Sequence, residues 1–218
     1  MKHKFDVLAL FQAAENGDPE AQYKWGKIFS VINGAEESLL WYRKAAEQGH
    51  ARAQYELSYM LEARAGFKPA AIATARSWCQ KAAAQGEPGA LNRLGEMYRR
   101  GDGVEYDPAQ AEECFRKAVE QYRKAAEEGE KEAQFGLGFM LTNGKGVVEN
   151  QVEAAEWFRK AAENGHTGAM DALALMYFYG NGVPQDVKMG REWGHKSQKL
   201  DEENTQRCFQ AIEQIRSR

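Results

Sequence analysis

Side chains that could catalyse a reaction or bind a metal ion are few and scattered in this sequence of 218 residues. A catalytic or metal site needs several such groups to converge, but the sequence contains neither a His-Glu-x-x-His nor a Ser-x-x-Lys motif. His50 and His166 each follow a glycine at the same place in an internal repeat, where two sister copies carry Glu87 and Glu130. That placement is typical of a turn. The sequence therefore predicts no catalytic residue, no metal ligand, no cofactor and no enzyme activity.

A glycine pattern, Gly-x-Gly-Val, recurs and could in principle bind phosphate. It begins at Gly101, Gly144 and Gly180. A glycine-rich loop that leads into a helix can cradle a phosphate group. Here no strand is predicted before the loop and no Lys-Ser/Thr pair follows it, so we interpret these segments as tight turns between two helices.

The three cysteines follow no repeat. Cys79, Cys114 and Cys208 form an odd, unpatterned set, which is typical of reduced thiols in the cytosol and not of a disulfide framework. Cys79 and Cys114 stand where the first repeat has Tyr42 and Trp41. We therefore expect both to be small members of the core.

Charge and hydropathy exclude two further classes of protein. The net charge is −3, whereas a nucleic-acid-binding surface normally brings a basic excess. No segment approaches the ~18 apolar residues of a membrane span, and the apolar run near the start is short and is interrupted by Asp6. We expect no nucleic-acid partner, no membrane insertion and a cytoplasmic location, unless a leader was removed before Met1.

The organising feature of the sequence is an internal repeat. Five segments begin with an alanine and run through a Leu-Gly-like pair to an aromatic residue, and four of them end in Lys-Ala-Ala-x-x-Gly. Self-similarity with a period of 32 to 43 residues predicts one solenoid domain over residues 1–218. It comprises an N-terminal half repeat (1–20), a C-terminal capping helix (201–218) and five repeats that open at Ala21, Ala53, Ala90, Ala133 and Ala169.

Each repeat reads as two helices with a tight seam between them. In repeat 4, Ala133, Leu137 and Met140 share one helical face, and Gly138 lies where the second helix must come close. Sister repeats also have small residues at this place, namely Gly26, Ser58, Gly95 and Ala174. Second helices are predicted to begin at a side-chain cap, with Asn150 and Glu153 forming a capping box and Asp107 and Asp186 at the equivalent places.

Repeat 3 carries seven extra residues. Residues 115–121 are echoed by residues 122–128. Because seven residues are close to two helical turns, the insertion is expected to lengthen the second helix while keeping its buried face inward.

These motifs together resemble the Sel1-like repeat family, a relative of the tetratricopeptide repeats. The resemblance rests on Ala-x-x-x-Leu-Gly-x-Met-Tyr, Gly-x-Gly-Val, the capping Asp and Trp-Phe/Tyr-x-Lys-Ala-Ala, and it is most specific over residues 90–182. It implies an all-α, right-handed superhelical solenoid of about five helix pairs, with an N-terminal helix and a C-terminal capping helix, that acts as a protein adaptor. Some secreted members have one disulfide per repeat, and this chain departs from that pattern.

Candidate binding residues are those that are apolar without the repeat requiring it. The third and seventh residues of each first helix share a face turned away from the seam, and polar side chains at some of these positions show that burial is not demanded. The resemblance implies that first helices line a concave groove, so we predict that a partner peptide or protein binds there. The candidates are Tyr23, Tyr55, Tyr59, Asn92, Glu96, Phe135, Phe139, Asp171 and Leu175. The alternative is that the aromatic rings pack against the neighbouring repeat.

The predicted function is a non-catalytic scaffold for protein–protein interaction, present as a monomer or weak oligomer. Two alternatives remain open at this point. One is a dedicated inhibitor or immunity partner of a bacterial toxin, and the other is a hydrolase or a cell-wall-ligand-binding protein, which would need a polar pocket with perturbed titratable groups.

Overall fold

The structure, a computed structural model, describes residues 7–32, 34–66 and 68–216. These residues form eleven α-helices and no strand. In chain order the helices are α1 (Val7–Glu15), α2 (Pro19–Val31), α3 (Ala35–Glu47), α4 (Ala51–Ala65), α5 (Pro69–Ala84), α6 (Pro88–Arg100), α7 (Pro108–Glu127), α8 (Lys131–Asn143), α9 (Gln151–Glu163), α10 (Thr167–Tyr179) and α11 (Val187–Arg216).

The helices after α1 form the five predicted pairs, so the all-α repeat fold is confirmed. The chain divides into two compact units. The first unit contains the described residues up to Ala90 and from Glu203 onward, and the second unit contains residues 91–202. Each unit is described by itself below.

Helix ends follow the sequence signals. Proline occupies the first turn of α2, α5 and α7, where its missing N–H leaves no hydrogen bond unmade. The closing glycines Gly49, Gly86, Gly129 and Gly165 all have positive φ, a backbone conformation that favours glycine and ends a helix.

The C-terminal segment differs from the prediction of a separate capping helix. Residues 201–216 continue α11, which runs unbroken for 30 residues, because no proline or glycine stands after Gly194 to stop it. In the first unit, Ile215 packs against a cluster that includes Trp25 and Trp41. Residues 217 and 218 of the predicted cap, and residues 1–6 of the N-terminal half repeat, lie outside the described residues.

The seam within a repeat is a ring packed on a glycine. A Cβ placed on Gly138 would lie 2.7 Å from the Phe158 ring, and one on Gly26 would lie 2.7 Å from the Tyr42 ring. Gly95 faces Phe115 in the same way, at 2.6 Å. These contacts confirm the predicted close approach at Gly138 and its equivalents, because a side chain there would occupy the space of the ring.

Cys79 and Cys114 are both buried, as expected. Cys79 stands where repeats 1, 3 and 4 have a ring, and the facing position is Ser58, itself buried. The smaller side chain of Cys79 on the second helix is thus matched by a larger side chain, Ser58, on the first helix.

The recurring Gly-x-Gly segments are turns, as predicted. Gly101, Gly144 and Gly180 all have positive φ. The second glycine of the turn also approaches another backbone closely, since a Cβ on Gly146 would overlap the backbone of Phe115 and one on Gly182 would overlap that of Gln151. Both requirements exclude other residue types at these two positions.

Side-chain caps begin the second helices of repeats 3, 4 and 5. The Asp107 carboxylate accepts hydrogen bonds from the N–H groups of Ala109 and Gln110, and the Asp186 carboxylate accepts two in the same way. Asn150 Oδ1 accepts one from the N–H of Glu153. The predicted capping box at Asn150 is only half formed, because the N–H of Asn150 donates to the carbonyl of Leu141 instead.

The insertion in repeat 3 lengthens one helix, as predicted. Helix α7 has 20 residues, whereas α9 has 13. Its two echoed rings serve different neighbours: Phe115 packs on Gly95 of α6, and Tyr122 packs on Gly136 of α8. Other repeats have Lys24, Glu56, Arg93 or Ala172 in place of Gly136, so the missing side chain at Gly136 makes room for the inserted ring.

The ring-on-glycine seam can be tested with a single methyl group. Alanine in a helix is favoured over glycine by about 1 kcal/mol, but at Gly138 the added Cβ meets Phe158, and overpacking costs about 1–3 kcal/mol. We expect Gly138→Ala to lower the free energy of unfolding. Gly194 of α11 is the matched control, because a Cβ there would have no neighbour within 4 Å, and Gly194→Ala should stabilise. Chemical denaturation of both variants checks this, and equal stabilisation by the two would contradict the seam.

The insertion predicts that the effect of Gly136→Ala on stability changes sign when the seven extra residues are deleted. In the full chain, Gly136→Ala should destabilise, because the methyl group would overlap the Tyr122 ring. After deletion of residues 115–121, we expect Tyr122 to take the place of Phe115 against Gly95 and to leave Gly136 without a ring beside it. There Gly136→Ala should stabilise by about 1 kcal/mol, the helix preference of alanine. Denaturation of the four proteins measures the effect. The interpretation fails if the shortened chain no longer unfolds cooperatively, or if the substitution has the same sign in both backgrounds.

Candidate functional site

The candidate residues lie on a stripe along each first helix, at the third, seventh and eleventh positions of the repeat. These positions are four residues apart and therefore lie one above another on the helix surface. We call them the first-helix stripe. Its members in the first unit are Tyr23, Lys27, Val31, Tyr55, Tyr59 and Ala63; in the second unit they are Asn92, Glu96, Arg100, Phe135, Phe139, Asn143, Asp171, Leu175 and Tyr179.

Aromatic residues at the third position pack toward the start of the next first helix. Tyr23 is 8% exposed and its ring stacks on the imidazole of His50, with centroids 4.9 Å apart. Phe135 stacks on His166 at 4.4 Å. A Cβ placed on Gly89 would lie 2.8 Å from the Tyr55 ring. At Tyr23, Tyr55 and Phe135 the structure therefore shows the packing between repeats that was the alternative to a groove.

The two histidines under these rings begin helices. The Nδ1 atom of His50 accepts a hydrogen bond from the N–H of Ala53, and Nδ1 of His166 accepts one from the N–H of Ala169, both at 3.1 Å. In His50 the Nε2 atom lies 2.9 Å from a carboxylate oxygen of Glu20. The hydrogen bond from His50 lowers the pKa of Glu20. The turn position predicted from sequence is thus a helix N-cap formed by an imidazole.

Apolar side chains at the seventh and eleventh positions are the exposed part of the stripe. Tyr59 is 62% exposed in the first unit, and Phe139 and Leu175 are 40% and 56% exposed in the second. Val31 and Tyr179 at the eleventh position are also exposed. Among the described residues eleven large apolar side chains are exposed, and these five are among them. The stripe therefore concentrates apolar exposure, which is typical of a binding surface when it forms a patch.

The polar members of the stripe at the third position fall in repeats 3 and 5. Asn92 is half-buried and Asp171 is exposed. Neither takes part in a ring stack of the kind formed by Tyr23 and Phe135, because an amide or a carboxylate has no apolar face to offer. The aromatic candidates at the third position therefore pack between repeats and the apolar candidates at the seventh position are exposed. Asp171 and Glu96 do not follow this division, since Asp171 is exposed and the Glu96 side chain is only 13% exposed.

Basic side chains surround the one carboxylate at a seventh position. Glu96 lies 2.8 Å from Lys145 Nζ, 2.6 Å from Arg99 Nη2 and 3.4 Å from Arg100 Nε. The Lys145 ammonium also lies 5.0 Å from the centroid of the Phe139 ring, within the range of a cation–π contact. Burial by itself would raise the pKa of Glu96, but the hydrogen bonds and charges of Lys145 and Arg99 outweigh it and lower that pKa.

The first unit has a carboxyl group with the opposite shift. Burial raises the pKa of Glu56; the Lys27 charge opposes the rise and the Glu87 carboxylate adds to it. Burial, with the Glu56 charge, also raises the pKa of Tyr42. Both groups adjoin the seam. Packing explains their shifts without a catalytic role.

Sequence reasoning missed a set of buried glutamines at the second position of the repeat. Gln22, Gln54 and Gln134 are each 4% exposed. Their Nε2 atoms donate to the carbonyls of Ala14, Ala46 and Ala126 near the end of the preceding helix, at 3.0, 3.1 and 3.2 Å. Their Oε1 atoms accept from Gln48, Gln85 and Asn164 at the end of the second helix of the same repeat. Each amide thus joins three helices with its donor and acceptor both used.

The sequence does contain a signal for these glutamines. The residue before the closing glycine is an amide, Gln48, Gln85 or Asn164, in the repeats whose second residue is glutamine. In repeat 3, where Leu91 takes the glutamine position, the corresponding residue is Glu128. Comparing the two positions across the repeats would have paired them.

A second recurring contact explains the lysine of the closing motif. Lys44, Lys81 and Lys160 place their ammonium groups 4.0, 4.3 and 3.8 Å from the ring centroids of Trp41, Trp78 and Trp157, three residues earlier in the same helix. Each lysine covers one face of its tryptophan by a cation–π contact. This contact belongs to the second helices and lies off the stripe.

Other features relevant to chemistry are limited. Within residues 7–32, 34–66 and 68–216, no group of three or more His, Cys, Asp and Glu side chains is placed to hold a metal ion. The three cysteines are thiols and not disulfides, and burial raises the pKa of both Cys114 and Cys208. None of the described helices combines the length and apolar character needed to cross a bilayer.

Comparison with known proteins finds relatives that match about half of this chain. The chain is 37% identical over 108 residues to an uncharacterized protein of Neisseria meningitidis serogroup B. This match covers 50% of this chain and 22% of that protein. It is 31% identical over 126 residues to chitin synthase regulatory factor 3 of Schizosaccharomyces pombe, covering 55% of this chain and 13% of that protein. The chain therefore spans less than a quarter of the length of either relative.

A solved structure with a similar fold is the Sel1 repeat protein from Oxalobacter formigenes. It has a TM-score of 0.54 and 29% identity, and the match covers 88% of this chain and 75% of that one. The pattern of the Sel1 repeat matches residues 19–50, 51–87, 88–121, 131–166 and 167–197. Because these five segments account for most of its length, the chain belongs to the Sel1 repeat family.

Proposed function

We propose that the protein is a non-catalytic scaffold that binds a partner protein or peptide on the first-helix stripe. The observation that carries this proposal is the exposure of Tyr59, Phe139 and Leu175 at the seventh position of three repeats, with Tyr179 exposed at the eleventh position. Exposed apolar side chains that recur on one face mark interaction sites, because water contact with them is unfavourable and a partner can relieve it. Sel1 repeat proteins generally mediate protein–protein interaction.

The polar groups near the stripe support binding more than catalysis. Glu96 is already in contact with three basic side chains, so it is not poised to accept a proton at neutral pH. His50 and His166 use Nδ1 to cap helices, and general base catalysis would need such a lone pair available. The shifted pKa of Glu56 has a cause in burial next to the seam.

The name of one relative is consistent with this role. The Schizosaccharomyces pombe protein is called a regulatory factor, and we propose that this chain acts through contact with another protein. We also propose that it works in the cytoplasm as a monomer or weak oligomer, as an adaptor or as a dedicated inhibitor. The thiol state of the three cysteines supports that location.

The test uses two exposed aliphatic residues of the second unit. Leu175 on the stripe is 56% exposed, and Val152 on α9, off the stripe, is 60% exposed. A partner captured from the native host with the intact chain should bind Leu175→Ala about tenfold more weakly, because loss of a buried anchor typically costs 1–2 kcal/mol or more. Phe139→Ala should have at least the same effect. Titration calorimetry with the purified partner measures these affinities.

Val152→Ala is the control for this comparison. It removes a similar amount of exposed apolar surface outside the stripe, so its affinity should stay within about twofold of the intact chain. All three variants should keep the far-ultraviolet circular dichroism of the parent, since none removes a buried contact of the seam. If Leu175→Ala and Phe139→Ala bind as tightly as Val152→Ala, the stripe is not the binding surface.

A further inference from the structure

The second unit carries a cluster of three basic side chains around Glu96, at one end of its stripe. Glu96 is contacted by Lys145, Arg99 and Arg100, and one carboxylate can balance only one of these three cations. The side chains of Arg99 and Arg100 are more than half exposed. The acidic member of the stripe on α10, Asp171, stands at the third position, two turns before Tyr179. The cluster lies at the C-terminal end of α6, and Asp102 and Glu105 follow it in the turn.

Apolar surface adjoins this charge directly. The Lys145 ammonium lies over the ring of Phe139, 5.0 Å from its centroid, and 5.8 Å from that of Phe115. Phe139 is 40% exposed, and Leu175 and Tyr179 are exposed at stripe positions of the next first helix. A ligand that covers Phe139 would thus bring its neighbouring groups close to Lys145 and Glu96.

We infer that the stripe of the second unit binds a protein segment that carries acidic side chains beside apolar ones. This inference rests on the proposed function and specifies its partner. Apolar side chains of the segment cover Phe139 and Leu175, and its carboxylates pair with Arg99 and Arg100. Arginine binds a carboxylate well because its planar guanidinium can donate two parallel hydrogen bonds.

The same features disfavour a nucleic acid as the ligand. A phosphate backbone is bound by many cations along a track, whereas this cluster has three cations with Glu96 among them. The exposed aliphatic side chain of Leu175 also offers no stacking platform for a base. A protein segment fits both the small number of charges and the apolar surface beside them.

The experiment compares synthetic peptides that differ only in charge. Each carries leucine and phenylalanine at the same places, with glutamate, glutamine or lysine at the positions between them. Binding to the full chain is measured by fluorescence anisotropy at low and high salt. We expect the glutamate peptides to bind about fivefold or more tightly than the glutamine peptides, and the lysine peptides to bind most weakly. The preference should shrink as salt screens the charges.

Variants of Arg100 test the assignment of the charge. Arg100→Glu should weaken the glutamate peptides about tenfold and leave the glutamine peptides within about twofold. Lys199→Glu is the matched control, because it makes the same change in sign at an exposed position of α11 and should leave all affinities unchanged. Arg100→Gln replaces Arg100→Glu in this test if the reversed charge beside Glu96 impairs folding. It should weaken binding of the glutamate peptides about threefold.

The outcomes separate this inference from the proposed function. Equal binding of glutamate and glutamine peptides, or equal effects of Arg100→Glu and Lys199→Glu, overturns the acidic partner. If those peptides still bind Leu175→Ala more weakly than Val152→Ala, the stripe stands as the binding surface. Failure of every peptide to bind also overturns the inference, and the natural partner then decides the proposed function through the same Leu175 and Val152 variants.

Discussion

In three of the repeats an aromatic ring on the second helix lies directly on the backbone of the first, at a position where glycine leaves no side chain between them. Tyr42 on Gly26, Phe115 on Gly95 and Phe158 on Gly138 are the pairs. A large ring facing a bare backbone fixes the distance between the helices, because close-packed interiors tolerate neither a gap nor an overlap. The buried glutamines then join repeats 1, 2 and 4 to the helix before each of them.

Because the seam uses one side of each first helix, the opposite side is available for other contacts. The third position contributes to stacking through the ring–imidazole contacts of Tyr23 and Phe135. The apolar side chains at the seventh and eleventh positions lie beyond that contact and remain exposed. Apolar residues at these places are therefore not explained by folding, and a partner is the simplest physical reason for them.

The repeat period, the helix pairs, the glycine seam, the turns and the lengthened α7 could all be predicted, because each depends on residues close in sequence. The prediction of a separate capping helix was wrong, because residues 201–216 continue α11. The repeat pattern ends near residue 200, but nothing in the following residues stops a helix. For the site, sequence placed the nine candidates on one helical face. The sequence could not tell the packed candidates from the exposed ones. Whether Tyr23 or Tyr59 is covered depends on which side chain of the next repeat lies against it, such as the imidazole of His50 against Tyr23. The partners of Glu96 were equally hidden, since Lys145 comes from a turn 49 positions later in the chain.

The contact between Lys145 and Glu96 shows how this fold can vary the surface of its first helices. Gly144 and Gly146 hold the turn in a conformation set by positive φ and by the backbone of α7, and this fixes where residue 145 lies. The sister turns carry Asp102 and Asn181 at the same place, and the sister seventh positions carry Lys27, Tyr59, Phe139 and Leu175 in place of Glu96. Neither position contributes to the ring-on-glycine seam. Charge and apolar character on the stripe can therefore vary among the three repeats that share this seam, because the residues that set the surface of the stripe are not those that set the distance between the helices.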